Sequence, residues 1–162
     1  MDSSTIISLF LTLSFISAAA GQNSTRDFLE GHNLARAVVG VPPLEWNATV
    51  ADYALRYAKK RSDDCNLELS MGPYGENLFK GHGLGLFSVT AATAVNHWVS
   101  EKPYYDYASN SCIAGKSCLH YTQVVWRGST QLGCALQQCR NGWMFVVCSY
   151  DPPGNWVGER PY

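Results

Sequence analysis

The sequence predicts one α+β domain in which helices come first and an antiparallel sheet comes last. Apolar residues recur with helical spacing up to about residue 102, and after residue 118 their spacing changes to the alternation of strands. Helices followed by a run of strands are typical of layered α+β folds. The 162-residue chain is long enough to bury a core within a single domain.

Three helices are predicted, over residues 25–39, 47–61 and 89–102. Gly40 ends the first helix, Asn47 caps the second, and Pro103 ends the third. Their apolar faces are formed by Phe28, His32, Ala35 and Val39 in the first helix, Val50, Ala54, Tyr57 and Ala58 in the second, and Ala91, Ala94, Val95 and Trp98 in the third.

Four strands are predicted, at Glu76–Phe79 and near residues 119–126, 131–138 and 143–150. The first lies in a glycine-rich stretch that is otherwise predicted to be loop. The last two would form a hairpin closed by three residues, with Gly142 in the left-handed conformation. In this register Cys139 lies opposite Trp143, and Cys134 lies opposite Cys148.

Six cysteines in a chain with a secretory leader indicate three disulfides. The hairpin register brings Cys134 and Cys148 within disulfide reach. Cys112 and Cys118 flank a short excursion and can close on each other, which leaves Cys65 and Cys139 as the third pair. The sequence alone permits fifteen arrangements of six cysteines.

That leader is predicted over residues 1–21, which leaves residues 22–162 as the mature domain. An apolar run from Ile6 to Ile16 is followed by small residues, with an A-x-A cleavage option at Ala18 and Ala20. The alternative is an N-terminal membrane anchor. The run is, however, shorter than the roughly 20 residues that span a bilayer, so we expect a secreted protein that is not an integral membrane protein.

The charge balance gives no reason to expect nucleic acid or an anionic membrane surface as a partner. The chain has 12 basic and 13 acidic residues, and loss of Asp2 with the leader brings the two into balance. Asn23 and Asn47 begin glycosylation sequons that fit an exported protein, although Asn47 equally fits a helix N-cap.

Four sequence blocks occur in a fixed order: HNLAR at His32–Arg36, GENL at Gly75–Leu78, CLHYTQVVW at Cys118–Trp126 and CSYDPPGNW at Cys148–Trp156. In this order they resemble the signature motifs of the CAP superfamily, the cysteine-rich secretory, antigen and pathogenesis-related proteins. The nearest likeness is to the plant pathogenesis-related protein 1 family. It implies a three-layer α-β-α sandwich with a central antiparallel sheet and the same three disulfides. It also implies an antimicrobial defence protein, secreted to the apoplast or delivered to the vacuole. The sequence gives no oligomeric state, and a monomer is the default expectation.

The resemblance also implies a cleft lined by two histidines and two glutamates, which binds a divalent metal in some members. Glu76, Glu101 and His120 match three of these positions, and Leu69 stands where the second histidine is usual. Zinc prefers several nitrogen or sulfur donors, and leucine has no lone pair to offer. We therefore expect no metal cofactor beyond a weakly held divalent ion, with His120 hydrogen-bonded to one of the glutamates.

Other polar residues give little support to catalysis. His97 and His82 could replace the missing ligand, but a lone histidine on a helix or loop is more often a surface residue. Asn33 and Arg36 are expected to fasten the first helix to nearby loops. No G-x-S-x-G nucleophile elbow is present, so no catalytic residues are assigned. The alternative is a metal-dependent hydrolase built on the incomplete cleft.

Aromatic residues crowd the end of the third helix and the loop after it. Trp98, Tyr104, Tyr105 and Tyr107 have the composition of an apolar groove, and similar proteins bind sterols and related lipids near this loop. The rings could equally pack the loop onto the sheet, or contact a receptor or pathogen effector.

The last eleven residues, 152–162, resemble a segment that some plant relatives release as a defence-signalling peptide. The cut would follow Tyr150 and Asp151 and leave Pro152 at the new terminus, and the peptide would then meet a receptor. Two prolines and a glycine predict a non-helical surface segment. The alternative is a structural tail that Trp156 packs back onto the domain.

Overall fold

The computed structural model describes residues 24–82 and 89–162. The predicted leader and Asn23 lie outside these residues. The helices are α1 (24–38), α2 (Ala48–Lys60), α3 (Ala91–Val99), a 3-10 turn (Lys102–Tyr104) and α4 (Leu119–Val124). The strands are β1 (Glu45–Trp46), β2 (Gly75–Gly81), β3 (Tyr105–Asp106), β4 (Ser111–Cys112), β5 (Gln131–Gln138) and β6 (Met144–Asp151).

The main sheet has four strands in the order β1-β5-β6-β2. Both β5 and β2 pair antiparallel with β6, which confirms the predicted antiparallel centre. The short strand β1 runs parallel to β5 and was not predicted. Strands β3 and β4 form a separate two-stranded sheet.

Helices cover both faces of the sheet, so the predicted α-β-α sandwich is confirmed. On one face α2 packs Ala54, Tyr57 and Ala58 against Leu78 and alternate residues of β5 and β6. On the other face the core joins α1, α3 and α4 to the remaining alternate residues of the same strands, with these buried members: Phe28, Ala94, Val95, Trp98, Tyr121, Val124, Leu132, Val146 and Tyr150.

The contact between α2 and β5 requires a glycine. A Cβ atom on Gly133 would lie 2.0 Å from the backbone nitrogen of Ala51, so no side chain fits there. Asn47 caps α2 as predicted, because its Oδ1 accepts hydrogen bonds from the backbone nitrogens of Thr49 and Val50.

The predicted strand near residues 119–126 is wrong, because residues 119–124 form helix α4. The four residues Tyr121 to Val124 are all buried, whereas a surface helix would show an exposed side. In so short a run of buried residues, the spacing of the apolar side chains does not distinguish a helix from a buried strand. Helix α3 is also shorter than predicted, and the 3-10 turn follows it.

All three predicted disulfides are present and no cysteine is free. In the hairpin, Gly142 has a φ of 83° and Cys134 lies opposite Cys148, as the turn chemistry predicted. Cys65–Cys139 ties the end of α2 to the end of β5. Within the described residues, no helix is both long and apolar enough to cross a bilayer.

Helix α1 is fastened to the rest of the fold by Asn33 and Arg36, as expected. Asn33 exchanges two hydrogen bonds with the backbone of Leu44. The buried guanidinium of Arg36 donates to four backbone carbonyls, those of Pro42, Val124, Trp126 and Ser129. Burial lowers the pKa of Arg36 to about 10, so the side chain stays charged at neutral pH.

Candidate functional site

Glu101 and His120 form the central pair of the predicted cleft. Glu101 lies just after α3, and its Oε1 is 2.7 Å from Nδ1 of His120. Its other oxygen accepts hydrogen bonds from the backbone nitrogens of His120 and Tyr121. This carboxylate therefore anchors the first turn of α4 and has little capacity left for a metal ion.

Glu76 and Leu69 line a groove of about 320 Å³ beside this pair. Oε2 of Glu76 accepts a hydrogen bond from the backbone nitrogen of Ser70, whereas Oε1 is buried without a protein partner. Leu69 is 55% exposed and Met71 is 89% exposed. Gln123 and Asn155 complete the far wall of the groove, which therefore combines one carboxylate oxygen with an apolar rim.

The residues present do not fit a bound zinc ion. Leu69 offers no donor, and the carboxylate of Glu101 is occupied by three hydrogen bonds. Across residues 24–82 and 89–162, no three histidine, cysteine, aspartate or glutamate side chains are grouped as metal ligands. His97 and His82 are both exposed and pack against the rings of Phe79 and Trp143.

A buried polar network lies behind the cleft. Nδ1 of His32 donates to the carbonyl oxygen of Phe28, and Nε2 accepts from the hydroxyl of Tyr150 at 2.8 Å. The amide of Asn77 donates to that same hydroxyl and to the carbonyl oxygen of His120. Burial lowers the pKa of His32 to about 4 and raises that of Tyr150, so both side chains are neutral.

The aromatic residues predicted to bind lipid lie in different environments. Trp98 is fully buried and donates its ring N–H to the carbonyl oxygen of Leu78, so it belongs to the core. The hydroxyl of Tyr105 donates to Asn110. Tyr107 is 48% exposed and stacks on Tyr162 with ring centroids 5.1 Å apart.

The tail, residues 152–162, lies along α4 and along the loop after α3 that carries Tyr104, Tyr105 and Tyr107, which we call the aromatic loop. A cavity of about 200 Å³ lies between them, lined by Tyr105, Leu119, Thr122, Trp126, Trp156 and Pro161. The tail approaches α4 closely at Gly154, where a Cβ atom would lie 2.9 Å from Nε2 of Gln123 and 2.5 Å from Cγ of Trp126, two residues after the helix. Trp156 is 57% exposed and lines this cavity, so the tail packs onto the domain as the alternative supposed, with Trp156 only partly covered.

The predicted cut lies where the core ends. Tyr150 is fully buried, and Asp151 is the last residue of β6, where its carbonyl oxygen accepts from the backbone nitrogen of Thr130. The carbonyl oxygen of Pro152 accepts from the hydroxyl of Ser129. A protease therefore reaches the Asp151–Pro152 bond only after local opening of this strand end.

Sequence reasoning missed the residues that hold the tail. Gln123 accepts a hydrogen bond from the backbone nitrogen of Gly154 in the tail, and Asn155 donates to the carbonyl oxygen of Leu119 in α4. Both residues lie within the recognised motifs, but the motifs do not reveal these partners. Arg160 reaches back to the aromatic loop. The only signal for this contact was that both the aromatic loop and the tail contain aromatic residues. Hydrogen bonds to backbone atoms that are distant along the chain leave no pattern in the sequence.

Asn47, a predicted glycosylation site, already serves as the N-cap of α2. Its side-chain nitrogen also lies 3.4 Å from Oε1 of Gln131. The cap accounts for this asparagine without a glycan, and glycosylation at Asn47 stays a prediction.

The chain is similar to known proteins over nearly its whole length. The family model described as "Cysteine-rich secretory protein family" (CAP) matches residues 29–150. Pathogenesis-related leaf protein 6 of Solanum lycopersicum is 50% identical over 159 residues, 98% of this chain and 96% of that protein. Pathogenesis-related protein 1A of Nicotiana tabacum is 55% identical over 154 residues, 95% of this chain and 89% of that protein. The structure of venom allergen-like protein 4 from Schistosoma mansoni superposes with a TM-score of 0.64 at 27% identity, covering 85% of this chain and 92% of that chain.

Proposed function

Because the chain belongs to the cysteine-rich secretory protein family, in its pathogenesis-related protein 1 group, we propose that it is a secreted, non-catalytic defence protein that carries a C-terminal signalling peptide. Membership of this group implies a role in plant defence. Three disulfides fit folding in an oxidising compartment and persistence outside the cell.

One observation carries the peptide proposal. The tail begins directly after the last residue of β6 and lies on the surface of a core that is complete without most of it. Within the tail, Tyr162 packs against a core cluster and Pro161 is buried beside it in the chain. Removal of residues 152–162 would therefore leave both hydrophobic clusters largely intact, as expected for a segment that can be released. The partner that this proposal implies is a receptor for the free peptide.

Mass spectrometry of the protein secreted from plant tissue tests the proposal. We expect a chain that has lost residues 1–21, contains three disulfides, and is accompanied by a peptide that begins at Pro152. An Asp151→Ala variant should keep its tail, because it changes the residue before the cut. The matched control Glu159→Gln, inside the tail, should be processed normally. Recovery of only full-length chains from defence-induced tissue would rule out the peptide role.

A second candidate function is binding of an apolar ligand such as a sterol, and the groove beside Leu69 favours it. Its volume of about 320 Å³ falls within the range typical of small-molecule sites. Three apolar side chains of the adjoining loop, Leu67, Leu69 and Met71, are exposed, so the rim of the groove offers apolar contact to a ligand. The cavity at the aromatic loop is smaller and covered by the tail.

A sterol-binding assay on three proteins separates the two locations. The parent should bind, Leu69→Ser should bind at least about tenfold more weakly because it removes apolar contact, and Tyr105→Ala should bind like the parent. Loss of binding in Tyr105→Ala alone would assign the ligand to the aromatic loop instead. No binding by the parent would remove the lipid function.

A further inference from the structure

The first half of the tail is held by polar contacts from α4 and the turn that follows it. The carbonyl oxygen of Pro152 accepts from Ser129 at 2.7 Å, and the backbone nitrogen of Gly154 donates to Oε1 of Gln123 at 3.0 Å. Asn155 accepts from the hydroxyl of Thr122 at 2.7 Å and donates to the carbonyl oxygen of Leu119 at 2.9 Å.

The second half is held by the aromatic loop. The guanidinium of Arg160 donates to the carbonyl oxygens of Tyr107 and Ala108 and lies 4.8 Å from the centre of the Tyr107 ring. The backbone nitrogen of Arg127 donates to the carbonyl oxygen of Pro161 at 2.7 Å. The ring of Tyr162 stacks on that of Tyr107 at an interplanar angle of 18°.

Burial along the tail follows the same division. Pro161 is buried at the end of the tail, where the aromatic contacts converge. Trp156 is 57% exposed and Val157 is fully exposed, so the middle of the tail faces solvent. Two anchored ends with an exposed centre are the arrangement of a peptide bound in a site, and arginine and tyrosine are among the residue types that most often dominate binding energy in such sites.

None of these contacts depends on the covalent link between Asp151 and Pro152. We propose that the body, residues 24–151, is a binding site for its own tail, so that the cut peptide stays bound and leaves in a separate dissociation step. Hydrolysis adds one water, leaving a carboxylate on Asp151 and a protonated amine on Pro152, and it breaks no anchor. This inference rests on the proposed function only in taking residues 152–162 as the released segment.

The test uses the full chain with the recognition sequence of a site-specific protease inserted between Pro152 and Pro153. After cutting, size-exclusion chromatography in native buffer separates bound from free fragments, and mass spectrometry identifies them. The fragment containing residues 153–162 is expected to elute with the body and to elute alone once the protein is denatured. Its immediate loss from folded, cut protein would overturn the proposal.

Substitutions in the same background test which contacts hold the peptide. Arg160→Ala or Tyr162→Ala should speed dissociation at least about tenfold, because each removes an anchor. The matched control Val157→Ala, in the exposed centre, should change it less than about twofold. Equal rates in all three would show that the anchors named here do not retain the peptide.

A second insertion, between Val157 and Gly158, covers the case in which the first prevents folding, because exposed turns tolerate insertions. Retention of the fragment 158–162 supports the proposal, and its prompt loss contradicts it. The outcome is independent of whether plants cut the chain. Absence of a Pro152 terminus in secreted material would end the peptide role, whereas these experiments report only on how tightly the body binds the tail.

Discussion

At the scale of single residues, His32 shows how a recognised motif serves the fold rather than chemistry. Its imidazole is completely buried, with both nitrogens in hydrogen bonds to Phe28 and Tyr150. Burial lowers its pKa from 6.5 to about 4. The unfolded chain therefore binds a proton between these two pH values that the folded chain does not.

The contribution of His32 to stability should be fully present above pH 6.5 and should be lost as the pH falls toward 4. The loss follows linkage and amounts to about 1.4 kcal/mol per pH unit in this window. We expect the free energy of unfolding to be about 2 kcal/mol lower at pH 5 than at pH 7 through this residue. Urea unfolding at the two pH values measures it.

Two histidine variants separate this effect from the titration of other groups. His32→Gln removes the buried imidazole and should flatten the difference between pH 7 and pH 5. His97→Gln changes an exposed histidine of α3 and should keep the difference of the parent. The same pH dependence in His32→Gln as in the parent would refute the assignment.

The candidate site was predictable from sequence only in part at this scale. Motif likeness identified Glu76, Glu101 and His120, and the bond between Glu101 and His120 follows the expectation that a buried carboxylate finds a donor. The two further backbone bonds to Glu101 were not predictable, since they depend on residues 119–124 being helical. Trp98 has helical spacing with the core residues of α3, and that spacing already indicated burial.

At the scale of elements, Arg36 holds together parts of the chain that are far apart in sequence. From α1 it reaches the loop before β1, the C-terminal end of α4 and the turn before β5. One side chain thus donates to four backbone carbonyl oxygens from three separate segments of the chain. The last turn of α4 therefore depends on a residue 88 positions earlier.

Replacement of Arg36 by methionine should lower the free energy of unfolding by about 3–5 kcal/mol. Methionine keeps much of the apolar volume but removes all four buried hydrogen bonds that Arg36 donates. Arg56→Met is the matched control, because Arg56 pairs with Asp52 on the exposed side of α2, and it should cost less than about 1 kcal/mol. Chemical denaturation of both variants gives the comparison, and similar losses would contradict the argument.

The elements themselves differed in how well the sequence specified them. Helices α1 to α3 and the β5-β6 hairpin carry long periodic patterns and strong stop signals, and they form where predicted, although α3 is shorter than the pattern indicated. Helix α4 has six residues enclosed on most sides, so alternation and helical period cannot be told apart. Strand β1 has two residues, too few to show any period.

At the scale of the whole molecule, the disulfides differ in the length of chain that they close. Cys65 and Cys139 are 74 residues apart, and Cys112 and Cys118 are 6 residues apart. The first joins the end of α2 to the end of β5, whereas the second closes a local loop beside the tail.

Removal of the long-range bridge should therefore destabilise more than removal of the local one. On the chain-entropy account, Cys65→Ala with Cys139→Ala costs about 4 kcal/mol, and Cys112→Ala with Cys118→Ala costs about 2 kcal/mol. Denaturant unfolding of both double variants under identical conditions measures the two values. A larger loss from the local pair would show that native packing, rather than chain entropy, decides the order.

The division of the tail into inward and outward side chains has a consequence for how its sequence can vary. Asn155, Arg160 and Tyr162 must satisfy partners on the parent domain, so their identities are fixed by intramolecular fit. Val157 is fully exposed, so no contact with the domain restricts its identity. Substitutions at Val157 should therefore leave the folding stability of the domain nearly unchanged, whereas substitutions at the three anchored positions should not.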